Sequence, residues 1–145
     1  MQNYNLTKNI SLRELVPRDI FNVYKERAEW FLDPKIPLLA QAYRDWFEAP
    51  VIINNKYRGG SFDYRGYRPH YSTTGAKHSQ HRFGRAFDCH IKGLSYKKAY
   101  MEIIDNFEYF SRLGLTTLED IDDTKGWIHS DVRYTGSKNL LIVSG

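Results

Sequence analysis

The chain has 145 residues, enough for one domain with a hydrophobic core that needs no staples. Hydrophobic residues make up 41% and charged residues 26%, an ordinary balance that excludes a disordered or fibrous chain. The net charge of +4 favours anionic partners in a general way, but Lys and Arg are scattered among Asp and Glu, and no dense basic run supports a nucleic-acid surface.

Residues 1–10 are polar and predict an extended lead-in. Met1-Gln2-Asn3-Tyr4-Asn5 lacks the charged-then-apolar order of a signal peptide, so synthesis as a soluble cytoplasmic chain is expected. Ser11 followed by Glu14 has the form of a capping box around Leu12-Arg13-Glu14-Leu15. Pro17 suits the first turn of a helix reaching about Leu32, with Ile20, Phe21, Tyr24, Ala28 and Phe31 on one stripe. A second helix is expected from near Pro37 to Glu48, burying Leu38, Leu39, Ala42, Tyr43, Trp46 and Phe47 and ended by Pro50.

Val51-Ile52-Ile53 reads as a short buried strand. Residues 54–77 show little periodicity, and so long an irregular stretch in a small domain points to a functional loop. A strand over 84–91 follows, with Cys89 as a small buried residue; a single cysteine allows neither an intrachain disulfide nor a Cys-based zinc site. Ser95 is the expected N-cap of an amphipathic helix through Phe110, with Gly114 as its stop. Leu115 to Ile121 and Trp127 to Arg133 predict two strands around the polar turn 122–126, and Leu140 to Val143 one more. No apolar run approaches membrane-spanning length. The class predicted is α+β, a single domain over 1–145 with helices mostly first and a small antiparallel sheet after.

Chemistry concentrates at 79–88. His81 lies in the loop entering the third strand, and Asp88 sits on one face of that strand. Zinc sites commonly take three protein ligands and leave a fourth position for water. Of the histidines at 70, 78, 81, 90 and 129, His129 stands out. Alternation puts Trp127, His129, Asp131 and Arg133 on one face, with Ile128 and Val132 on the other. That polar face beside an aromatic reads as the floor of a site, and His129 is the natural third ligand. If the turn is 122–126, Ile121 pairs with Trp127 and Glu119 with His129, with Cβ atoms roughly 5 Å apart. Glu119 is then the preferred general base. Asp131 is the other candidate, or else a partner that fixes the His129 tautomer. A register slip of one residue turns Glu119 away.

Ser79-x-His81-x-x-Gly84-x-Ala86-x-Asp88 resembles the zinc signature of the D-alanyl-D-alanine carboxypeptidase and endopeptidase family, whose fold is shared with the Hedgehog signalling domain. Arg65-Gly66-Tyr67-Arg68 is similar to that family's Ser-Gly-Tyr-Arg segment, and Trp127 to Arg133 to its aromatic-x-His-x-Asp segment. The resemblance runs over residues 65–133. It implies a Hedgehog/DD-peptidase-like fold and zinc held by His81, Asp88 and His129. Arg68 is implied to bind a substrate carboxylate or the polarised carbonyl oxygen, and Ser79 to hydrogen-bond near the scissile peptide. Gly84 and Ala86 are implied to be small because backbone passes close to metal or substrate.

The chain departs from the family at the base. Some members carry Glu three residues before the last ligand, where this chain has Gly126; others carry His two before it, where this chain has Trp127. The expected activity is zinc-dependent cleavage of a peptide bond in bacterial peptidoglycan, in a stem peptide or a cross-link. The expected setting is a phage lysin that reaches the wall through another protein's pore or on a virion, with neither a nucleic-acid partner nor membrane insertion. The alternative is a non-catalytic wall- or protein-binding module of the same fold that keeps zinc as a structural staple.

Overall fold

Ser11 begins the order of the chain in the way its spacing predicts. Its hydroxyl accepts from the Arg13 N–H, and the Glu14 carboxylate accepts from the Ser11 N–H at 2.9 Å, capping the 3-10 turn Leu12–Glu14. The computed structural model describes residues 3–145, so the first two positions of the lead-in lie outside the described residues. The rest of the lead-in is not extended throughout. The Leu6 N–H donates to the Ile10 carbonyl at 2.8 Å, and Ile10 is buried in the core.

The expected helix from Pro17 to Leu32 is instead α1 (Arg18–Tyr24) followed by a 3-10 turn, Lys25–Phe31. The break falls at Lys25, which has φ 52° although neither Gly nor Pro marks it. The turn it starts lays Phe31 on Tyr67, with ring centroids 5.0 Å apart, and sets the Phe31 carbonyl against Gly84. Helix α2 (Lys35–Phe47) ends at Glu48 in the left-handed region. It buries Ile36, Leu39, Ala40 and Tyr43 but leaves Leu38, expected on the buried face, exposed.

Among the described residues, five strands form one sheet in the order β1-β2-β4-β3-β5: β1 (Val51–Ile52), β2 (Ala86–Ile91), β3 (Thr117–Glu119), β4 (Ile128–Asp131) and β5 (Leu141–Val143). The first three pairings are antiparallel, but β5 runs parallel to β3. The sheet is therefore mixed, which corrects the expected antiparallel sheet. The reason is topological: after β4 the chain turns back and crosses to the outer edge of β3, so it arrives running in the direction of β3. The expected helix after Ser95 is also divided, into α3 (Tyr96–Asp105) and α4 (Phe107–Ser111). They part at Asn106, whose side-chain amide donates to the Glu102 carbonyl at 2.9 Å.

The result is an α+β arrangement in which Tyr43, Phe87, Phe110, Leu118 and Ile128 share one core. Tyr43 meets Phe87 and Phe110 edge-on, and its hydroxyl is 2.7 Å from Ser130 Oγ beneath the sheet. The stretch 54–77 is anchored despite its irregularity. Asn54 is buried, donating to the Val16 carbonyl and accepting from the Arg65 N–H, while the Tyr67 N–H donates to the Leu15 carbonyl at 2.7 Å. No helix among the described residues is long and apolar enough to cross a membrane.

Candidate metal centre

Asp88 on β2 and His129 on β4 are direct cross-strand partners. On the other side of β4, Thr117 faces Asp131 and Leu118 faces Ser130, so Glu119 comes next, beside His129. Glu119 in turn pairs with Val143 on β5. One row of side chains thus crosses four strands, on the face opposite Phe87, Leu118 and Ile128. All four members of the row line a cavity of about 540 Å³, together with Arg68, Ser79, His81 and Trp127.

His81 reaches the row from the 3-10 turn Gln80–Phe83. The Ser79 hydroxyl caps that turn by accepting from the His81 N–H at 3.3 Å, and Gly84 ends it at φ 68°. A Cβ at Gly84 would overlap the carbonyl oxygen of Phe31. The need for glycine there comes from Phe31 backbone, which corrects the expectation that metal or substrate imposes it. Ala86 faces the buried Asp131 across the β2–β4 pairing.

The two histidines are held from behind. His81 Nδ1 is 2.9 Å from the Gly66 carbonyl oxygen, which can only accept, so Nδ1 carries the proton and Nε2 is left toward Asp88 Oδ1 at 3.2 Å. His129 Nε2 is 2.8 Å from Asp131 Oδ2, and its Nδ1 is 3.0 Å from the same Asp88 oxygen. Ligating histidines need this kind of outer hydrogen bond to carbonyl or carboxylate. His81, Asp88 and His129 are all buried, and one ligand atom from each lies within 4.8 Å of the others. These three residues can hold one metal ion.

Charge agrees with that use at Asp88 and His81, and at His129 a metal would have to displace a proton. Burial opposes ionisation of Asp88, but His81 and His129 beside it outweigh burial and keep the carboxyl well below the usual range. Burial holds His81 below its ordinary value despite Asp88, leaving the neutral imidazole that a metal requires. Burial also works against a charge on His129, yet its hydrogen bonds to Asp131 and Asp88 prevail and raise it to about 9. In Asp131 burial is outweighed by Arg133, which donates from Nε at 2.9 Å and Nη2 at 2.6 Å, and by His129, so its carboxyl is held low.

The candidate bases are therefore placed differently. Both Asp131 oxygens are engaged, the residue is wholly buried, and the cavity lining includes Arg133 but not Asp131. Glu119 is half-buried and faces the cavity, with its carboxyl raised by burial against the opposing pull of His129. Arg68 is buried, donating from Nε to the Tyr64 carbonyl at 2.7 Å and from Nη2 to Asp88 Oδ2 at 3.1 Å.

No family model, curated protein or solved structure matches this chain. What the site can do follows from its own atoms: two imidazoles and a carboxylate can hold a metal in the cavity, beside the Glu119 carboxylate and a fixed guanidinium.

Three contributors were not singled out from the sequence. The Gly66 carbonyl is a backbone group and has no residue-type signal. Arg133, read only as part of the polar face, clamps Asp131. Segment 143–145 walls the cavity because sheet order brings it there, opposite residues 74–76 of the loop that was expected to be functional. Of the remaining histidines, His78 lines the cavity without joining the ligand cluster, and the His90 ring is 3.1 Å from Arg65 Nη1.

Proposed function

We propose that the protein is a zinc peptidase that cleaves a peptide bond of bacterial peptidoglycan, on a fold of the Hedgehog/DD-peptidase type. The observation that carries the proposal is the convergence of His81, Asp88 and His129 in a cavity that also holds Glu119 and Arg68. A two-imidazole, one-carboxylate donor set suits zinc, and the signature around His81 and Asp88 supports the same choice. Zinc held there lowers the pKa of a water and polarises a carbonyl.

The chain's own residues do the rest. Glu119 takes a proton from the attacking water and passes it to the leaving amine. Arg68, braced by Tyr64 and Asp88, offers its remaining N–H groups to the carbonyl oxygen as negative charge develops, or to a terminal carboxylate of the substrate. Ser79 accepts from the His81 N–H, which leaves its own O–H to donate to the substrate peptide. Asp131, clamped by Arg133, keeps the His129 ring in one orientation. A phage lysin delivered to the wall is the setting proposed.

One observation favours the rival reading, a binding module with a structural metal. The backbone at Gly145 packs so closely on Glu119 Oε1 that a Cβ there would overlap it. Digestion of purified peptidoglycan by the zinc-loaded protein, with and without chelator, separates the two readings. Chelator-sensitive release of amino groups supports the peptidase, and mass spectrometry of the muropeptides then identifies the bond. Bound zinc without any release leaves the binding module.

A further inference from the structure

A second cavity, of about 520 Å³, adjoins the metal centre, and Arg133 lines both. Its cations come from separate parts of the chain: Lys35 at the start of α2, Arg85 just before β2, Arg133 just after β4 and Lys138 before β5. Arg133 is paired with Asp131. Among the described residues the other three have no carboxylate partner, and Arg85 Nε is buried without any hydrogen-bond partner. The Arg85 guanidinium lies over the Phe83 ring, 4.9 Å from its centroid, and its terminal N–H groups rather than the enclosed Nε are the part that a ligand in the cavity can meet.

The lining contains one carboxylate, Asp33, and its Oδ1 already accepts from the Lys35 N–H at 2.9 Å. Helix α2 opens at this cavity with its Lys35 N–H capped by Asp33, so the field in the cavity comes from the side-chain cations rather than from the helix end. Hydroxyls of Ser111, Thr135 and Ser137 complete a polar wall.

We infer that this cavity binds phosphodiester groups of an anionic cell-wall polymer, as an exosite beside the metal centre. A guanidinium fork pairs the two non-bridging oxygens of a phosphodiester while the two ammonium groups act as point charges on the same anion. The polar, cationic lining disfavours an apolar ligand, and cations contributed by separate parts of the chain suit a polymer that presents repeated anionic groups. The anion site needs neither metal nor cleavage. Only the choice of a wall polymer rests on the proposed peptidase reading.

The test is an amide NMR titration of the full chain with inorganic phosphate, with glycerol phosphate polymer and with double-stranded DNA at equal phosphate concentration. Saturable shifts are expected at Thr116, Gly136 and Ser137 with phosphate, and at lower concentration with the polymer. The double substitution Lys35→Gln/Lys138→Gln is expected to weaken binding by about tenfold or more, as two phosphate-facing cations are lost. Both lysines are exposed, so the variant keeps its fold, which the dispersion of its spectrum reports. No saturable shift, shifts indifferent to the lysines, or tighter binding of DNA than of the polymer overturns the inference. Loss of peptidoglycan cleavage with phosphate binding intact counts against the peptidase alone.

Discussion

Glu119 and His129 are neighbours across β3 and β4, because Leu118 faces Ser130 and the register continues by one residue. Facing residues point to the same side of a sheet, so the Glu119 carboxylate shares the cavity with the His129 ring. Glu119→Gln keeps the side chain's shape and removes its capacity to take a proton. Metal affinity in a chelator competition is expected to stay at the wild-type value while kcat/KM on peptidoglycan falls by about 10²–10⁴. His81→Ala is expected to lose both. Full activity in Glu119→Gln excludes Glu119 as the base.

Asp131 acts on the site through His129. It is wholly buried and holds the Nε2 side of the ring at 2.8 Å while Arg133 holds its own oxygens. Asp131→Asn keeps the volume and one acceptor but loses the charge. Metal affinity is expected to fall about 10–100-fold. A purely structural role lowers thermal stability and leaves the metal affinity of the folded protein untouched, so the chelator competition tells the two roles apart.

The parts of this structure that were legible in the sequence are those with local causes. The capping box at Ser11 and Glu14 and the N-cap at Ser95 depend on residues within one turn. The Glu119–His129 relationship follows from hairpin arithmetic alone, even though the regular strands stop at Glu119 and resume only at Ile128. What was not legible depends on distant partners. Nothing local says that β2 pairs with β4, which makes Asp88 and His129 direct neighbours, or that β5 joins the far edge in parallel. The break at Lys25 has no Gly or Pro to announce it, and its reason, the Phe31–Tyr67 stack, lies in a loop more than thirty residues on. Gly84 was legible as a glycine but not for its reason, because Phe31 backbone presses on it from another segment.

Beneath the site, Tyr43 and Ser130 share a buried hydrogen bond of 2.7 Å. Ser130→Ala leaves the Tyr43 hydroxyl in an apolar core without a partner. The expected cost is about 1–3 kcal/mol in urea unfolding, the penalty for an unsatisfied buried group. Ser130→Ala/Tyr43→Phe removes both polar groups and is expected to be more stable than the sum of the single variants predicts. Additive losses count against a direct bond between the two side chains.

Loop 54–77 is tied to α1 at a second level by a short hydrogen bond from the Tyr71 hydroxyl to Asp19 Oδ2. That bond, with smaller contributions from burial and the Asp19 charge, pushes the Tyr71 hydroxyl up to about 12. An unfolded chain releases the same proton near pH 10, roughly the free tyrosine value. Above that point the unfolded state binds fewer protons than the folded one, so stability falls with rising pH. The contribution of the bond is complete below about pH 10 and is lost as pH rises through about 12. Asp19→Asn removes the carboxylate acceptor while its side-chain oxygen still accepts from the Ile20 N–H as Asp19 Oδ1 does. In a difference titration of tyrosinate absorbance, one tyrosine is expected to move down from about 12 in the variant. Hydrogen exchange is expected to quicken at residues 69–75. Superimposable titration curves mean that Tyr71 and Asp19 do not share the proton and that the loop is held by its other anchors, among them Asn54, Asp63 and the Tyr67 N–H.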